Sequence, residues 1–251
     1  PGLYDAFFAD QDEFKRLYEK AERNTSIRKK TLKASMLFSS FMEERKNTGR
    51  IYLMNVDHAN DHGAFKKELA PIKQSNLCCE INLPTKPLKN FNDPEGEIAL
   101  CTLSAINWGL IKTPKDFEKP CSLAVRGLDA LLTYQKYPVL AAENSTMKRR
   151  PLGIGIINLA YFLAKNDTNY SNPDLGLIDE YAEAWSYYLI KASADLAIEQ
   201  EACPGTNETH YGDGITPNQT YKKDVDELIP HVERMDWEGL REQLKTTGIR
   251  N

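Results

Sequence analysis

The spacing of apolar positions predicts helices in the first part of the chain. Residues 3–23 carry scattered apolar side chains among many charges, which indicates short helices on a surface. Between Thr31 and Lys46 the apolar side chains recur every three or four positions and form a wide stripe, which predicts a longer helix. Gly49 follows this stripe and suits the left-handed conformation that often ends a helix.

Spacing of the same kind predicts further helices in the second half of the chain. One covers residues 117–134 and another covers residues 151–164. A long helix is expected to end near Glu201, and a short amphipathic helix to end at Gly248.

Two short apolar runs predict buried strands. Residues 50–56 are too short, and too rich in β-branched and aromatic side chains, to favour a helix. Residues 96–106 form the second run, which contains Cys101. Strands alternate with helices, so the predicted fold class is α/β. No internal repeat or low-complexity linker interrupts the chain, which predicts one domain over residues 1–251.

Composition narrows the class of protein. The chain has 251 residues, 41% of them hydrophobic and 27% charged, which is typical of a soluble globular protein. A net charge of -4 with mixed signs predicts no nucleic-acid partner, and the lack of a run of about 18 apolar residues predicts no membrane span. The odd number of cysteines, 5, favours a reducing, cytoplasmic setting. The start at Pro1, without an initiator Met, indicates a piece of a longer protein.

The stretch from Ser75 to Thr85 has polar groups that ordinary packing does not require. Successive side chains of an extended segment point to opposite faces. Asn76, Cys78 and Glu80 are therefore expected to share one face. An amide, a thiol and a carboxylate in one row provide hydrogen-bond donors and acceptors, a sulfur centre and a possible base.

The spacing of the cysteines gives little support to zinc binding or to cysteine hydrolase chemistry. Structural zinc needs paired C-x-x-C spacings, and a cysteine hydrolase needs a positioned histidine. The residues alone leave open whether Cys78 has a functional or a structural role. Cys121 lies on the apolar face of a predicted helix, and Cys203 precedes a proline, so both are interpreted as structural.

Two further patterns are interpreted as structural. His58 and His62 are four positions apart, as metal ligands on one helix face can be, but no third ligand is evident. A polar loop near the mouth of a site is therefore preferred, and no metal site is predicted. The segment Gly153–Gly155 resembles part of a dinucleotide-binding fingerprint. Asn158 stands where its third glycine belongs, which favours a closely packed helix start.

Two longer motifs carry a family resemblance. The segments Ser75–Thr85 and Gly96–Ala105 closely resemble the S-N-L-C-x-E-I and G-E-I-A-L-C-x-L motifs of the catalytic large subunit of class I ribonucleotide reductase. Supporting matches cover the segments Thr48–Tyr52, Arg149–Gly155, Ala202–Pro204 and Asn207–Thr209. The resemblance extends over essentially the whole chain.

The resemblance implies a fold and a set of site residues. The chain is expected to supply part of a ten-stranded α/β barrel, with Asn76–Glu80 on a central finger loop. It implies that Cys78 becomes a thiyl radical that removes the 3′ hydrogen of a ribonucleotide. Glu80 would take the 3′-hydroxyl proton, Asn76 would hydrogen-bond the ribose hydroxyls, and Cys101 would be half of a redox pair. Cys79 is assigned no role.

The resemblance also implies partners. The substrates would be ribonucleoside diphosphates, and the chain would need the remaining large-subunit segments for activity. A small subunit would carry the metal-generated radical, and thioredoxin or glutaredoxin would be the reductant, while this chain itself would bind no cofactor. Two alternatives remain: a non-catalytic barrel remnant that serves in assembly, and an independent thiol–disulfide protein.

Overall fold

Two parallel strands form the sheet in the described part of the fold. The computed structural model describes residues 2–100, 102–230 and 232–251. Strand β1 (Leu103–Asn107) pairs with β2 (Gly153–Ile157), in a register that runs from Leu103 opposite Gly153 to Asn107 opposite Ile157. Parallel neighbours need a long crossover connection, and helices supply it here.

The crossover contains two helices, and the apolar spacing predicts the first of them. Helices α5 (Glu118–Tyr134) and α6 (Leu140–Arg149) connect β1 to β2. They follow the N-terminal helices α1 (Leu3–Ala9), α2 (Gln11–Arg23), α3 (Ala34–Thr48) and α4 (Val56–Asp61). After β2 come α7 (Leu159–Lys165), α8 (Leu175–Gln200), α9 (Pro217–Thr220) and α10 (Trp237–Thr247).

Most of the predicted helices are confirmed. Short helices cover residues 3–23, and α3 ends at Gly49, whose φ of 65° is left-handed as expected. Helix α5 matches the prediction over residues 117–134, and α8 ends one residue before Glu201. Helix α10 is followed by Gly248 as its C-cap, again as predicted.

An aromatic cluster forms the centre of the core. The indole of Trp108, directly after β1, is 1% exposed and packs edge-on against Phe117 and Phe162, with ring centroids 5.4 Å apart in each pair. Tyr181 of α8 packs against the same rings. Burial of a phenylalanine side chain contributes about 1.5–3 kcal/mol, so this cluster is a main source of stability. It joins α8 to the strand pair.

One predicted helix is a strand for much of its length. Residues 153–157 form β2, and helix begins only at Leu159, so the prediction of a helix over residues 151–164 is wrong. The segment contains isoleucines and glycines, which have low helix propensity, and β1 offers its backbone hydrogen bonds. Asn158, with a left-handed φ of 65°, separates β2 from α7.

The predicted strands also differ from the structure. No strand forms over residues 50–56, where Val56 instead begins α4. Of the predicted strand over residues 96–106, the part from Leu103 onward is confirmed and continues to Asn107. Cys101 lies outside the described residues. A strand forms only where a neighbour pairs with its backbone, and a pattern of side chains does not reveal that neighbour.

The α/β class is supported by this strand–helix–strand unit. Within the described residues the sheet has two strands, so ten strands and a finger loop remain predictions. The single domain over residues 1–251 likewise stays a prediction. None of the described helices combines the length and the apolar character that crossing a membrane requires.

Candidate active site

The loop that carries the predicted site residues is a tight turn. The backbone N–H of Cys79 donates to the carbonyl oxygen of Asn76 at 3.1 Å, which closes the turn. Cys79 itself has a left-handed φ of 59°. The expectation that this segment is extended, with three site residues on one face, is therefore wrong.

The physical reason for the turn is the Asn76 side chain. Its Oδ1 accepts hydrogen bonds from the backbone N–H groups of Glu80 and Ile81, each at 3.2 Å. Asparagine commonly stabilises turns in this way because its short amide reaches nearby backbone groups. The Ser75 hydroxyl adds a bond to the Ile81 carbonyl at 2.8 Å. The loop is thus held by its own polar groups.

The turn brings together two of the predicted site residues. Asn76 Nδ2 donates to Glu80 Oε1 at 2.7 Å. Cys78 lies between them in the chain, and its side chain is exposed. A carboxylate, an amide and a thiol therefore share one short loop, although not by the alternation that the sequence suggested. The fourth predicted residue, Cys101, lies outside the described residues.

Glu80 faces a cleft beside the amino ends of the two strands. The cleft has a volume of about 340 Å³. Leu100 and Thr102, the two neighbours of Cys101 in sequence, line it together with Glu80. Its other walls include Arg149, Cys203, Thr209, Tyr211 and Asn251. The structure thus places the sequence neighbours of Cys101 on the same cleft as the candidate base.

Cys79 and the two histidines lie elsewhere. Cys79 lines a separate cavity of about 370 Å³ with His58 and His62. The imidazole rings are 5.9 Å apart, and His62 Nδ1 forms a hydrogen bond of 2.8 Å with the Thr220 carbonyl. No group of three or more His, Cys, Asp or Glu side chains that could hold a metal ion occurs among the described residues.

Arg149 links two carboxylates beside the cleft. At the end of α6, its guanidinium donates to Glu97 Oε2 at 2.5 Å and to Glu208 Oε2 at 2.9 Å. The Arg149 side chain is only 4% exposed. Lys148 pairs with the same two carboxylates, at 3.3 Å and 2.5 Å. A buried charge is costly unless it is paired. Here Glu208 has two cationic partners, and Glu97 has a third in Lys86 at 3.3 Å.

The electrostatics of Glu97 follow from this cluster. Burial by itself raises the pKa of the Glu97 carboxyl. The hydrogen bond from Arg149, with the charges of Arg149, Lys148 and Lys86, outweighs burial and holds the pKa below its ordinary value. Glu97 is therefore ionised at neutral pH.

A second buried carboxylate supports another wall of the cleft. Asp129 of α5 accepts a hydrogen bond from Arg150 Nε at 2.6 Å and from Asn251 Nδ2 at 2.8 Å. Burial raises the Asp129 pKa, but these two hydrogen bonds and the charges of Arg150 and Arg250 lower it more. Asp129 thus anchors the entry to β2 and the last residue of the chain, which both border the cleft.

Two cysteines are buried thiols, as interpreted from the sequence. Cys121 is fully buried in the aromatic core, and burial raises its pKa to about 12. Cys203 is 3% exposed, and burial raises its pKa to about 11. A thiol with such a pKa is almost entirely protonated near neutrality and is a poor nucleophile.

The charged cluster was missed by reasoning from the sequence alone. Glu97, Arg149 and Glu208 each belong to a segment that carries the family resemblance, but no role was assigned to them. For Glu97 and Arg149 the available signal was a charged side chain beside an apolar run, whereas Glu208 lies among polar residues. That signal does not tell which distant charge pairs with which, because residues 97 and 149 are far apart in sequence.

These elements define an α/β protein with a thiol, an amide and a carboxylate on a loop beside a parallel strand pair. The family model described as ribonucleotide reductase, barrel domain, matches residues 2–251. The chain belongs to this family. The resemblance seen in the two motifs is confirmed.

Named relatives agree with this assignment. The chain is 56% identical over its whole length to ribonucleoside-diphosphate reductase subunit alpha of Haemophilus influenzae, and covers 33% of that protein. It is 57% identical, with the same coverage, to ribonucleoside-diphosphate reductase 1 subunit alpha of Escherichia coli K12. For subunit alpha of phage T4 the identity is 44% over 99% of the chain. The chain thus spans about a third of the length of the curated relatives it matches.

Proposed function

We propose that this chain is the barrel portion of a class I ribonucleoside-diphosphate reductase large subunit and carries residues that act on the ribose. The observation that carries the proposal is the loop in which Asn76 bonds Glu80 across the turn that displays Cys78. Relatives with that name match the chain along its whole length, which supports the same assignment. The reaction converts ribonucleoside diphosphates to 2′-deoxyribonucleotides.

The loop residues have separate roles in the proposed reaction. A thiyl radical on Cys78 removes the 3′ hydrogen atom of the substrate, and the Cys78 thiol returns a hydrogen atom to the 3′ carbon at the end of the cycle, which regenerates the thiyl radical. Glu80 accepts the proton of the 3′-hydroxyl, and Asn76 hydrogen-bonds the ribose hydroxyls while it orients the Glu80 carboxylate. The hydrogen bond between the two side chains keeps the base beside the thiol-bearing turn before substrate binds.

Reduction at the 2′ position needs a dithiol. Cys101 and a second cysteine from the remaining subunit would supply two electrons and two protons. The 2′-hydroxyl leaves as water, and the two sulfurs form a disulfide. Thioredoxin or glutaredoxin then reduces that disulfide. The position of Leu100 and Thr102 on the Glu80 cleft supports a role for the intervening cysteine in the same chemistry.

Exposed apolar surface supports assembly with further barrel segments. On the strand pair, Leu103 is 57% exposed and Ile157 is 51% exposed, although both belong to a sheet. Most apolar side chains of α3 are exposed as well. On α3 the exposed apolar side chains include three consecutive residues, Met36 to Phe38, and an exposed apolar patch is typical of an interaction site. We infer that the remaining segments cover these faces, complete a ten-stranded barrel of one domain, and make the Asn76–Glu80 loop its finger loop.

The need to shield the Cys78 radical also requires the remaining large-subunit segments. A thiyl radical must be protected from water and from other hydrogen donors, and Cys78 is exposed in this chain. The remaining large-subunit segments would enclose it. A small subunit with a metal-generated radical would then oxidise Cys78. This chain by itself is therefore expected to be inactive.

Reconstitution tests the proposal. The completed large subunit, containing residues 1–251, is mixed with its small subunit and a reductant, and deoxynucleotide formation is measured. Cys78→Ser should abolish product, whereas the matched variant Cys79→Ser should retain it. Normal product formation by the Cys78→Ser subunit would refute the thiyl assignment. A correctly assembled subunit with no activity would instead identify the chain as a non-catalytic barrel remnant.

A further inference from the structure

The Arg149 cluster lies where two candidate site segments meet. Glu97 and Lys86 exchange backbone hydrogen bonds, each 3.1 Å from N to O. Lys86 follows the Glu80 loop by six residues, and Glu97 precedes Cys101 by four. The chain that leaves the loop and the chain that leads to the redox cysteine are therefore joined at Glu97.

Arg149 fixes this junction to the rest of the fold. Glu97 has a side-chain bond to Arg149 at 2.5 Å, and Ile98 N–H donates to the Ala141 carbonyl of α6 at 3.0 Å. Both contacts come from one helix. Arg149 also reaches Glu208 at 2.9 Å, and Glu208 belongs to a short helix that ends beside Thr209 on the cleft.

The packing around Arg149 leaves little freedom. Gly205 N–H donates to the Lys148 carbonyl at 2.7 Å. A Cβ added at Gly205 would lie 3.0 Å from that carbonyl oxygen and 3.1 Å from Arg149 Cγ. The segment before Glu208 therefore approaches the end of α6 so closely that glycine is favoured there.

We propose that Arg149 is a positioning residue, which holds the segment leading to Cys101 in register with the Glu80 loop. The inference rests on the proposed function, since it gives Cys101 its redox role. Cys101 follows Glu97 by four residues, which span at most about 14 Å, so the anchoring of Glu97 limits where the following segment can lie. Arg149 borders the cleft, but its side chain is only 4% exposed and its guanidinium is bonded to both carboxylates, so it acts through Glu97 rather than on the substrate.

Lysine cannot replace arginine here. A guanidinium presents donors in a fixed fork that can bond two carboxylates at once, whereas an ammonium is a single point charge. Arg149→Lys keeps the charge that the buried carboxylates require and removes the fork. Glu208→Gln weakens the bond between Arg149 and Glu208 by changing the acceptor instead of the donor. This second variant replaces Arg149→Lys in the test if the lysine variant fails to fold. Arg126→Lys is the matched control, because Arg126 forms a two-bond pair with Glu199 on the surface.

The test uses the completed large subunit with its small subunit. Misplacement of a reacting group by about 1 Å can cost about a hundredfold in rate, so Arg149→Lys should lower kcat by about tenfold to a hundredfold with KM unchanged. The rate at which iodoacetamide alkylates Cys101, followed by mass spectrometry, should also change. Neither quantity should change in Arg126→Lys. A fall in the unfolding midpoint with normal kcat and normal Cys101 alkylation would overturn the proposal and leave Arg149 a purely structural residue.

A parallel variant separates this inference from the proposed function. If Cys101→Ser retains multiple turnover, the redox role of Cys101 is wrong, and the alkylation rate alone then decides whether Arg149 positions that segment. If Cys101→Ser is inactive while Arg149→Lys and Glu208→Gln both behave like the Arg126→Lys control, the proposed function stands. The positioning role of Arg149 is then refuted.

Discussion

The side-chain amide of Asn76 donates a 2.7 Å hydrogen bond to the carboxylate of Glu80, four residues further along the chain. The bond spans the turn that exposes Cys78. A base oriented in this way before substrate arrives needs less reorganisation during the reaction. The relationship therefore leads directly to a kinetic prediction.

Glu80→Gln should damage catalysis far more than binding. Glutamine keeps the shape and can still bond Asn76, but it cannot accept a proton. General base catalysis typically contributes about 10²–10⁴-fold, so kcat of the reconstituted enzyme should fall by that order with little change in KM. Steady-state kinetics of deoxynucleotide formation would measure both. An equal effect on kcat and KM would indicate a binding role for Glu80 instead.

Redox turnover should depend on Cys101. In Cys101→Ser, one thiol of the proposed dithiol is missing, so thioredoxin or glutaredoxin cannot support repeated cycles. We expect loss of multiple-turnover product in assays with either reductant. Cys121→Ser is a suitable control, because Cys121 is a fully buried core thiol away from the cleft. Undiminished turnover by Cys101→Ser would exclude Cys101 from the redox pair.

The thiols should differ in their reactivity toward iodoacetamide. Cys78 is exposed, whereas burial raises the pKa of Cys121 to about 12 and that of Cys203 to about 11. The thiolate is the reactive form, so Cys78 should be alkylated first in the native chain at about pH 8. Mass spectrometry of peptides after timed quenching measures the order. Unfolding in urea should abolish the difference, and early labelling of Cys121 in the native chain would contradict the described core.

Asp129→Asn should destabilise the chain strongly. Asp129 and Arg150 form a buried ion pair at 2.6 Å, in which each side chain is 3% exposed. Removal of one partner from such a pair leaves a buried charge and typically costs about 3–5 kcal/mol. Urea unfolding followed by tryptophan fluorescence would measure the free energy. Glu199→Gln is the matched control, and it should have a far smaller effect because solvent screens the exposed pair of Glu199 with Arg126.

Stability should fall in mild acid. Burial raises the pKa of Glu183, but its bonds to the backbone N–H of Arg234, the indole of Trp237 and the backbone N–H of Met235 hold it below the ordinary value. A carboxyl whose pKa is lowered by folding stabilises the fold at any pH above its pKa in the unfolded chain, which is about 4.3 for glutamate. This contribution disappears as the pH falls through the lower pKa of the folded state. The urea concentration at the midpoint of unfolding should therefore decrease as the pH is lowered below about 4.5. The decrease should be less steep in Glu183→Gln.

The helices show how much the sequence determined. The apolar spacing over residues 117–134 predicts α5, and the same signal predicts α8 and α10, because a helix satisfies its backbone within its own segment. The candidate site is also indicated by the sequence, because Asn76, Cys78 and Glu80 lie within five consecutive positions. Such signals are local, so they can be recognised in the sequence alone.

The tertiary structure decided what depends on distant partners. Residues 153–157 became a strand because β1 accepts and donates their hydrogen bonds. The apolar stripe of α3 is exposed, with Met36 at 63%, although its pattern resembles that of a buried face. The link from Glu97 through Arg149 to Glu208 likewise joins segments far apart in sequence. Side-chain periodicity determines local conformation, whereas strand pairing, burial and ion pairing depend on which remote groups the folded chain brings into contact.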